Sequence, residues 1–240
     1  MIIVVVGWYG TETIGDRAIL AGLISFFSKS FGEFEILLGS LNPFFSERTI
    51  AEDHLFFNEI TNKKIQIEIF NSKSGTQLLA AVKRADLVVM GGGPLMDLKE
   101  LFMVEYAFKK AKSFGVKTAV VGCGVGPLFQ KQYRKSVLNI SLNTDLSILR
   151  DSNSKKYLEE IYFEFRKGFK SENIFVSLDP AVECILKFSD IENKKILVNT
   201  FAETEYIAVS LRDFPLEYSR AATGKNINND LMVFVGELAD

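Results

Sequence analysis

Histidine is nearly missing from this chain: His54 is the single one among 240 residues. It lies in a polar-to-apolar transition far from every glycine-rich turn, so it reads as a surface or packing residue rather than a general base. Cysteine is almost as scarce. Cys123 and Cys184 have no metal-ligand spacing between them, which argues for reduced thiols, a cytoplasmic protein and no metal site. An excess of charge of one sign is lacking too, with a formal net charge of −2 and a pI near 5.7. Bulk electrostatics therefore gives no reason to expect nucleic acid or an anionic membrane surface as a partner. No apolar run approaches the roughly 20 residues of a membrane span. The opening MIIVVVG has no basic n-region and runs straight into a strand, so neither a spanning segment nor a signal peptide is expected. Two phosphate-binding signatures are also wanting. The first glycine loop spaces Gly7, Gly10 and Gly15 three and then five apart, which is not G-x-G-x-x-G, and G-x-x-x-x-G-K-[ST] occurs nowhere. A nicotinamide dehydrogenase is disfavoured by that spacing and by the lack of an acidic residue after the second strand.

What the chain does contain is apolar material in alternating periods. At 48% hydrophobic it can bury a large core, and its 21 phenylalanines are scattered through helix and strand patterns, as packing residues would be. Strands are expected at 2–6, 34–38, 65–70, 87–90, 117–122, 146–149 and 174–177. Between them fall helical patterns at 13–29, 43–52, 74–84, 97–114, 131–143, 152–167 and 181–188. Such alternation predicts an α/β fold with a doubly wound, mostly parallel, Rossmann-like sheet. The segment 65–70 alternates polar and apolar residues like an edge strand. Character changes after Lys187: 189–195 is polar, 196–201 has no clear assignment, 206–211 reads as a fresh strand ending at Arg212, and 231–235 is one more apolar run. The expected organisation is a domain over 1–188, followed over 189–240 by a connector and the truncated start of a second domain.

Chemistry is expected where parallel strands end, at the carboxyl edge of the sheet. After the first strand comes Gly7-Trp8-Tyr9-Gly10-Thr11-Glu12-Thr13-Ile14-Gly15-Asp16, a turn into a helix N-terminus suited to a phosphate or carboxylate. Gly7, Tyr9, Gly10, Thr13, Gly15 and Asp16 are its candidate contacts, with tight turns and packing of Trp8 and Tyr9 as the plainer uses. Gly91-Gly92-Gly93-Pro94-Leu95-Met96-Asp97 is sharper, because three glycines after a buried strand suit a backbone passing close to a ligand. Asp97 is a candidate acid or base, although N-capping the next helix is its simpler role. A third loop, Gly122-Cys123-Gly124-Val125-Gly126-Pro127, is expected to close the following strand, with Cys123 as a small filler. Arg150 could clamp an anion or pair with Asp151 or Asp179. Asp179-Pro180 starts a helix at the same edge, and Arg212 is the cationic candidate of the last segment.

Taken in order, these segments resemble the polysaccharide pyruvyl transferase family. The matching motifs are GWYGTETIGDRAIL, DLVVMGGGPLMD, GCGVGP, RDSNS, Asp179-Pro180-Ala181 and Ser210-Leu211-Arg212. Thr13 stands where the family usually has asparagine, and Arg17 where it has glutamate.

The resemblance implies a glycosyltransferase-B-like architecture, of which 1–188 is the Rossmann-like half. It also implies transfer of a pyruvyl unit from phosphoenolpyruvate to a sugar or lipid-linked glycan of a cell-surface polysaccharide. Phosphoenolpyruvate is then a donor substrate, and no cofactor is called for. Gly7, Tyr9, Gly10, Asp16, Gly92, Gly93 and Asp97 would line the cleft, with Arg150 and Arg212 meeting anions. Family members continue well beyond the S-L-R strand and place a histidine and basic residues there, so weak or absent catalysis is expected of these 240 residues alone. Two alternatives stay open: a non-catalytic sugar- or phosphate-binding domain, and a nucleotide-sugar glycosyltransferase. Oligomerisation is left open as well.

Overall fold

The computed structural model describes residues 1–11 and 13–190. Expectations that fall on 191–240, among them the 206–211 strand, the 231–235 run and Arg212, lie outside the described residues. Among the described residues, eight strands and seven helices follow in chain order. They are β1 (Ile2–Val6), α1 (Ile14–Ser30), β2 (Glu35–Ser40), α2 (Pro43–Thr61), β3 (Gln66–Asn71), α3 (Gly75–Arg84), β4 (Leu87–Gly91) and β5 (Pro94–Leu95). The rest are α4 (Leu101–Ser113), β6 (Lys117–Val125), α5 (Lys131–Leu142), β7 (Leu146–Leu149), α6 (Ser152–Glu164), β8 (Ile174–Val176) and α7 (Ala181–Ser189).

Every strand pairing is parallel, in the order β3-β2-β1-β4-β6-β7-β8, with the short β5 added to the end of β6. The sheet is doubly wound and Rossmann-like, as expected. Side chains alternate between its two faces. On one face Ile3, Val5, Ile36, Leu38 and Val89 pack against α1, α2 and the start of α7. On the other, Val4, Val6, Leu37, Val88, Met90 and Val120 pack against α3, α4, α5 and α6. Strands covered on both sides explain why the sequence shows β-branched runs there rather than polar alternation. Only the edge strand β3 keeps that alternation, with buried Phe70 and exposed Gln66 and Glu68.

Three of the boundaries that differ from expectation bear on the rim and its supports. Helix α2 continues to Thr61, because Phe57 and Ile60 bury the next turns and Asp53 within it receives Arg17. Helix α4 begins at Leu101, not Asp97, since Pro94 and Leu95 first extend alongside β6. Strand β6 runs through Gly122-Cys123-Gly124-Val125, so that glycine segment is strand rather than loop. Neighbouring chains crowd it on both sides: a methyl at Gly122 would meet Pro180 and one at Gly124 the Arg150 guanidinium. Glycine here permits contact between elements and does not break the strand.

Candidate functional site at the carboxyl rim

The strand order reverses direction between β1 and β4, and the loops after these strands flank that switch point, where open α/β sheets bind ligands. Trp8 and Tyr9 leave β1 toward opposite faces and grip the β4 loop between them. The Trp8 indole N–H donates to the Pro94 carbonyl at 3.1 Å, and the Tyr9 hydroxyl donates to the Gly91 carbonyl at 2.9 Å. Both rings are buried, and burial pushes the Tyr9 phenol well above its ordinary range, assisted by Asp16, Cys123 and Asp179.

This arrangement supplies a packing reason for the glycine triplet. A methyl on Gly91 would strike Leu23, on Gly92 Ile19, and on Gly93 the Trp8 ring, so the triplet is bare where α1 and Trp8 close over it. Main-chain donors on this rim are likewise engaged: Gly92 donates to Val121, Gly124 to Gly93 and Gly126 to Leu95, at 2.8–3.1 Å.

At the start of α1, Thr13 caps the helix by accepting the Asp16 amide at 3.3 Å, while the Asp16 carboxylate accepts hydrogen bonds from the Thr13 and Thr11 hydroxyls. Gly15 is exposed with open space beside its Cα, and Gly10 turns at φ +90 against Ser40 and Asn42. Arg17 reaches across to α2, bidentate on Asp53 and 3.0 Å from Glu52, and these acids raise its pKa further. Tyr9, Gly10, Thr13, Asp16 and Arg17 border a cavity of only about 20 Å³, room for roughly one water.

The roomier hollow, about 440 Å³, opens where β6 and β7 end. Its walls include Gly126, Phe129, Arg150, Asp151, Asn153 and Tyr157. The Arg150 guanidinium lies over Gly124, with Nε 3.4 Å from Asp151 and Nη1 3.8 Å from Asp179. Arg150 therefore sits between two carboxylates, and the group as a whole carries net negative charge. Asp151 also caps α6, accepting the Ser154 amide at 2.6 Å; that bond, with Arg150, holds its carboxyl below the usual range against the opposing effect of burial. Asp179 accepts the Ala181 amide at 3.0 Å at the head of α7. Tyr157 packs under Gly126 and donates its hydroxyl to Leu128 at 2.9 Å.

Asp97 is not the cap of α4, whose N-cap is Glu100. Its Oδ2 instead accepts the amides of Phe129 and Gln130, at 3.0 and 3.1 Å, from the loop between β6 and α5. Cys123 is fully buried, and its thiol is pushed up to about 12, by burial first and then by Asp179. His54 is exposed on α2. Among the described residues, no three of His, Cys, Asp and Glu gather as a metal set, and no helix is long and apolar enough to cross a membrane.

Arg150 and Asp179 thus come together at one rim, while Asp16 and Thr13 stand at the head of α1 beside their own small cavity. Sequence reasoning missed Tyr157, Asn153 and Phe129. The signal was present in helical spacing, since Asn153 and Tyr157 stand four apart on α6, on the same face as the Arg150-Asp151 entry.

A doubly wound parallel sheet with a hollow of about 440 Å³ at its carboxyl rim defines a Rossmann-type α/β protein. Comparison with known families narrows that class. The model of the polysaccharide pyruvyl transferase family matches residues 14–237, and the chain belongs to that transferase family. A comparison with curated proteins finds no match.

Proposed function

We propose that this protein transfers the pyruvyl unit of phosphoenolpyruvate to hydroxyls of a cell-surface polysaccharide or its lipid-linked precursor, in the cytoplasm, and that the hollow beyond β6 and β7 seats the sugar. The observation that carries this reading is the placement of Arg150 between Asp151 and Asp179. Two carboxylates about one guanidinium repel a phosphate or a second carboxylate but suit a ring of hydroxyls, which donate to the acids and accept from the arginine. Phe129, 37% exposed, offers an apolar face beside them. This assigns Arg150 to the acceptor rather than to an anion. The anionic donor would then bind elsewhere, with Arg212 as one cation for it.

In the reaction, the methylene carbon of phosphoenolpyruvate takes a proton, and the adjacent carbon becomes oxocarbenium-like. One sugar hydroxyl attacks it, phosphate leaves, and a second hydroxyl closes the ketal. The two hydroxyl protons end on the new methyl group and on the departing phosphate. Asp151, on the wall of the hollow, would accept a hydroxyl proton as the base, with Asp179 behind Arg150 holding the guanidinium. The test is phosphate release from phosphoenolpyruvate by the full chain with methyl β-galactoside or methyl α-mannoside as acceptor. Acceptor-dependent release that Arg150→Ala reduces by about a hundredfold supports the reading. Sugar binding without release would mark a binding domain, and nucleotide release from a sugar nucleotide would mark a glycosyltransferase.

A further inference from the structure

Asp97 stands on one loop and acts on another. It follows β5, which lies along the end of β6, and its Oδ2 accepts the amides of Phe129 and Gln130. Those amides belong to the last residues before α5, whose N-cap Gln130 makes no capping bond with its own side chain. A carboxylate at that point also faces the positive end of the α5 dipole. Its other oxygen, Oδ1, is buried with no hydrogen-bond partner among the described residues, so Oδ2 carries the carboxylate's bonds there.

The turn that Asp97 holds is the wall of the sugar hollow: Gly126, Pro127, Leu128 and Phe129 all border it. Other groups grip the same turn from the α5 and α6 side. Arg134 donates to the carbonyls of Leu128 and Phe129 at 3.1 and 2.9 Å, and Tyr157 donates to Leu128. With Asp97 accepting from the amides and Arg134 donating to the carbonyls, the backbone of the turn that carries Phe129 is held from two sides.

We infer that Asp97 is a positioning residue that sets the width of the acceptor hollow through the 126–130 turn. The inference rests on the sugar-acceptor reading of that hollow. It differs from a capping or purely structural role in what it predicts for binding. Asp97→Ala frees two amides and lets the Phe129 wall move, while Asp97→Asn retains an oxygen able to accept both.

The experiment measures two things on the full chain: hydrogen exchange at the Phe129 and Gln130 amides, and the dissociation constant for methyl β-galactoside and methyl α-mannoside. In D97A the two amides should exchange faster and the glycoside bound by the wild-type chain should bind about tenfold more weakly, the loss of roughly one charge-assisted hydrogen bond. D97N should recover most of that affinity. Should D97A fail to fold, Arg134→Ala frees the same turn from its other side and should weaken binding in the same direction. Faster exchange with unchanged binding overturns the positioning role while leaving the acceptor reading in place. Unchanged exchange in D97A also overturns it. A wild-type chain that binds neither glycoside overturns the acceptor reading, and the positioning role with it.

Discussion

Gly22 and Pro180 meet where α1 crosses the head of α7: a methyl added at Gly22 would run into the Pro180 carbonyl oxygen. That contact is backbone against backbone, so no side-chain rotation can relieve it. Replacing Gly22 by alanine gains about 1 kcal/mol of helix propensity in α1. Overpacking costs about 1–3 kcal/mol, and a rigid carbonyl belongs at the upper end. The clash wins, and G22A is expected to lower the melting temperature by several degrees. An unchanged or raised melting temperature would show that α7 does not press on α1 at this point.

Gly93 tests the grip of Trp8 on the β4 loop. It sits at φ +68, and a methyl there would lie 2.6 Å from the indole ring. G93A therefore meets both a left-handed backbone cost of about 1–2 kcal/mol and a displaced ring. Trp8 is the single tryptophan of the chain, so its emission reports the outcome without ambiguity. The spectrum should move to the red as the indole loses the Pro94 carbonyl and gains water. An unmoved spectrum would mean the ring is not held by this loop.

The fold was legible in the sequence because its strands are buried on both faces and therefore appear as unbroken β-branched runs, IIVVV and LVVM among them. The rim was legible in location and less so in purpose. Glycines at 91–93 mark a close approach, but sequence does not say what approaches; here it is Ile19, Leu23 and Trp8. Asp97 misled for a related reason. Its amide partners lie 32 and 33 residues away, a tertiary contact that no local capping rule contains. Arg150 was readable as a rim cation with Asp151 and Asp179 as partners, since both acids sit at strand ends beside it in the strand order.

Glu183 gives the fold a calculable pH dependence. It accepts hydrogen bonds from Lys29 at 2.6 Å and from buried Ser25 at 2.8 Å, joining α7 to α1. Burial acts to raise its pKa, but Lys29 and Ser25 outweigh burial, with help from Lys187, and the folded value falls below the ordinary 4.5. A depressed carboxyl contributes stability that is present above its unfolded pKa and is lost as pH falls through the folded one. The wild-type chain should therefore lose stability below about pH 4.5 more steeply than Glu183→Gln does. At neutral pH the glutamine variant should be about 1 kcal/mol less stable. Denaturant titrations of the two chains at pH 7 and pH 4 check both statements. Parallel curves at the two pH values would show that the Lys29–Glu183 pair contributes nothing in solution.

Cys123 and Cys184 are both free thiols, and their settings predict opposite fates under alkylation. Cys123 is fully buried on β6, with its sulfur 3.4 Å from the Gly92 carbonyl. Its pKa, pushed up to about 12 by burial and then by Asp179, leaves almost no thiolate at neutral pH. Cys184 is raised as well, by burial and by Asp53, but it is partly exposed on α7. Iodoacetamide at pH 8 should add a single label to the native chain, at Cys184, and two labels once denaturant is present. Mass spectrometry of the peptides separates the sites. Rapid labelling of Cys123 in the native protein would mean that the rim above β6 opens to solvent. Labelling at Cys184 alone agrees with a packing role for Cys123.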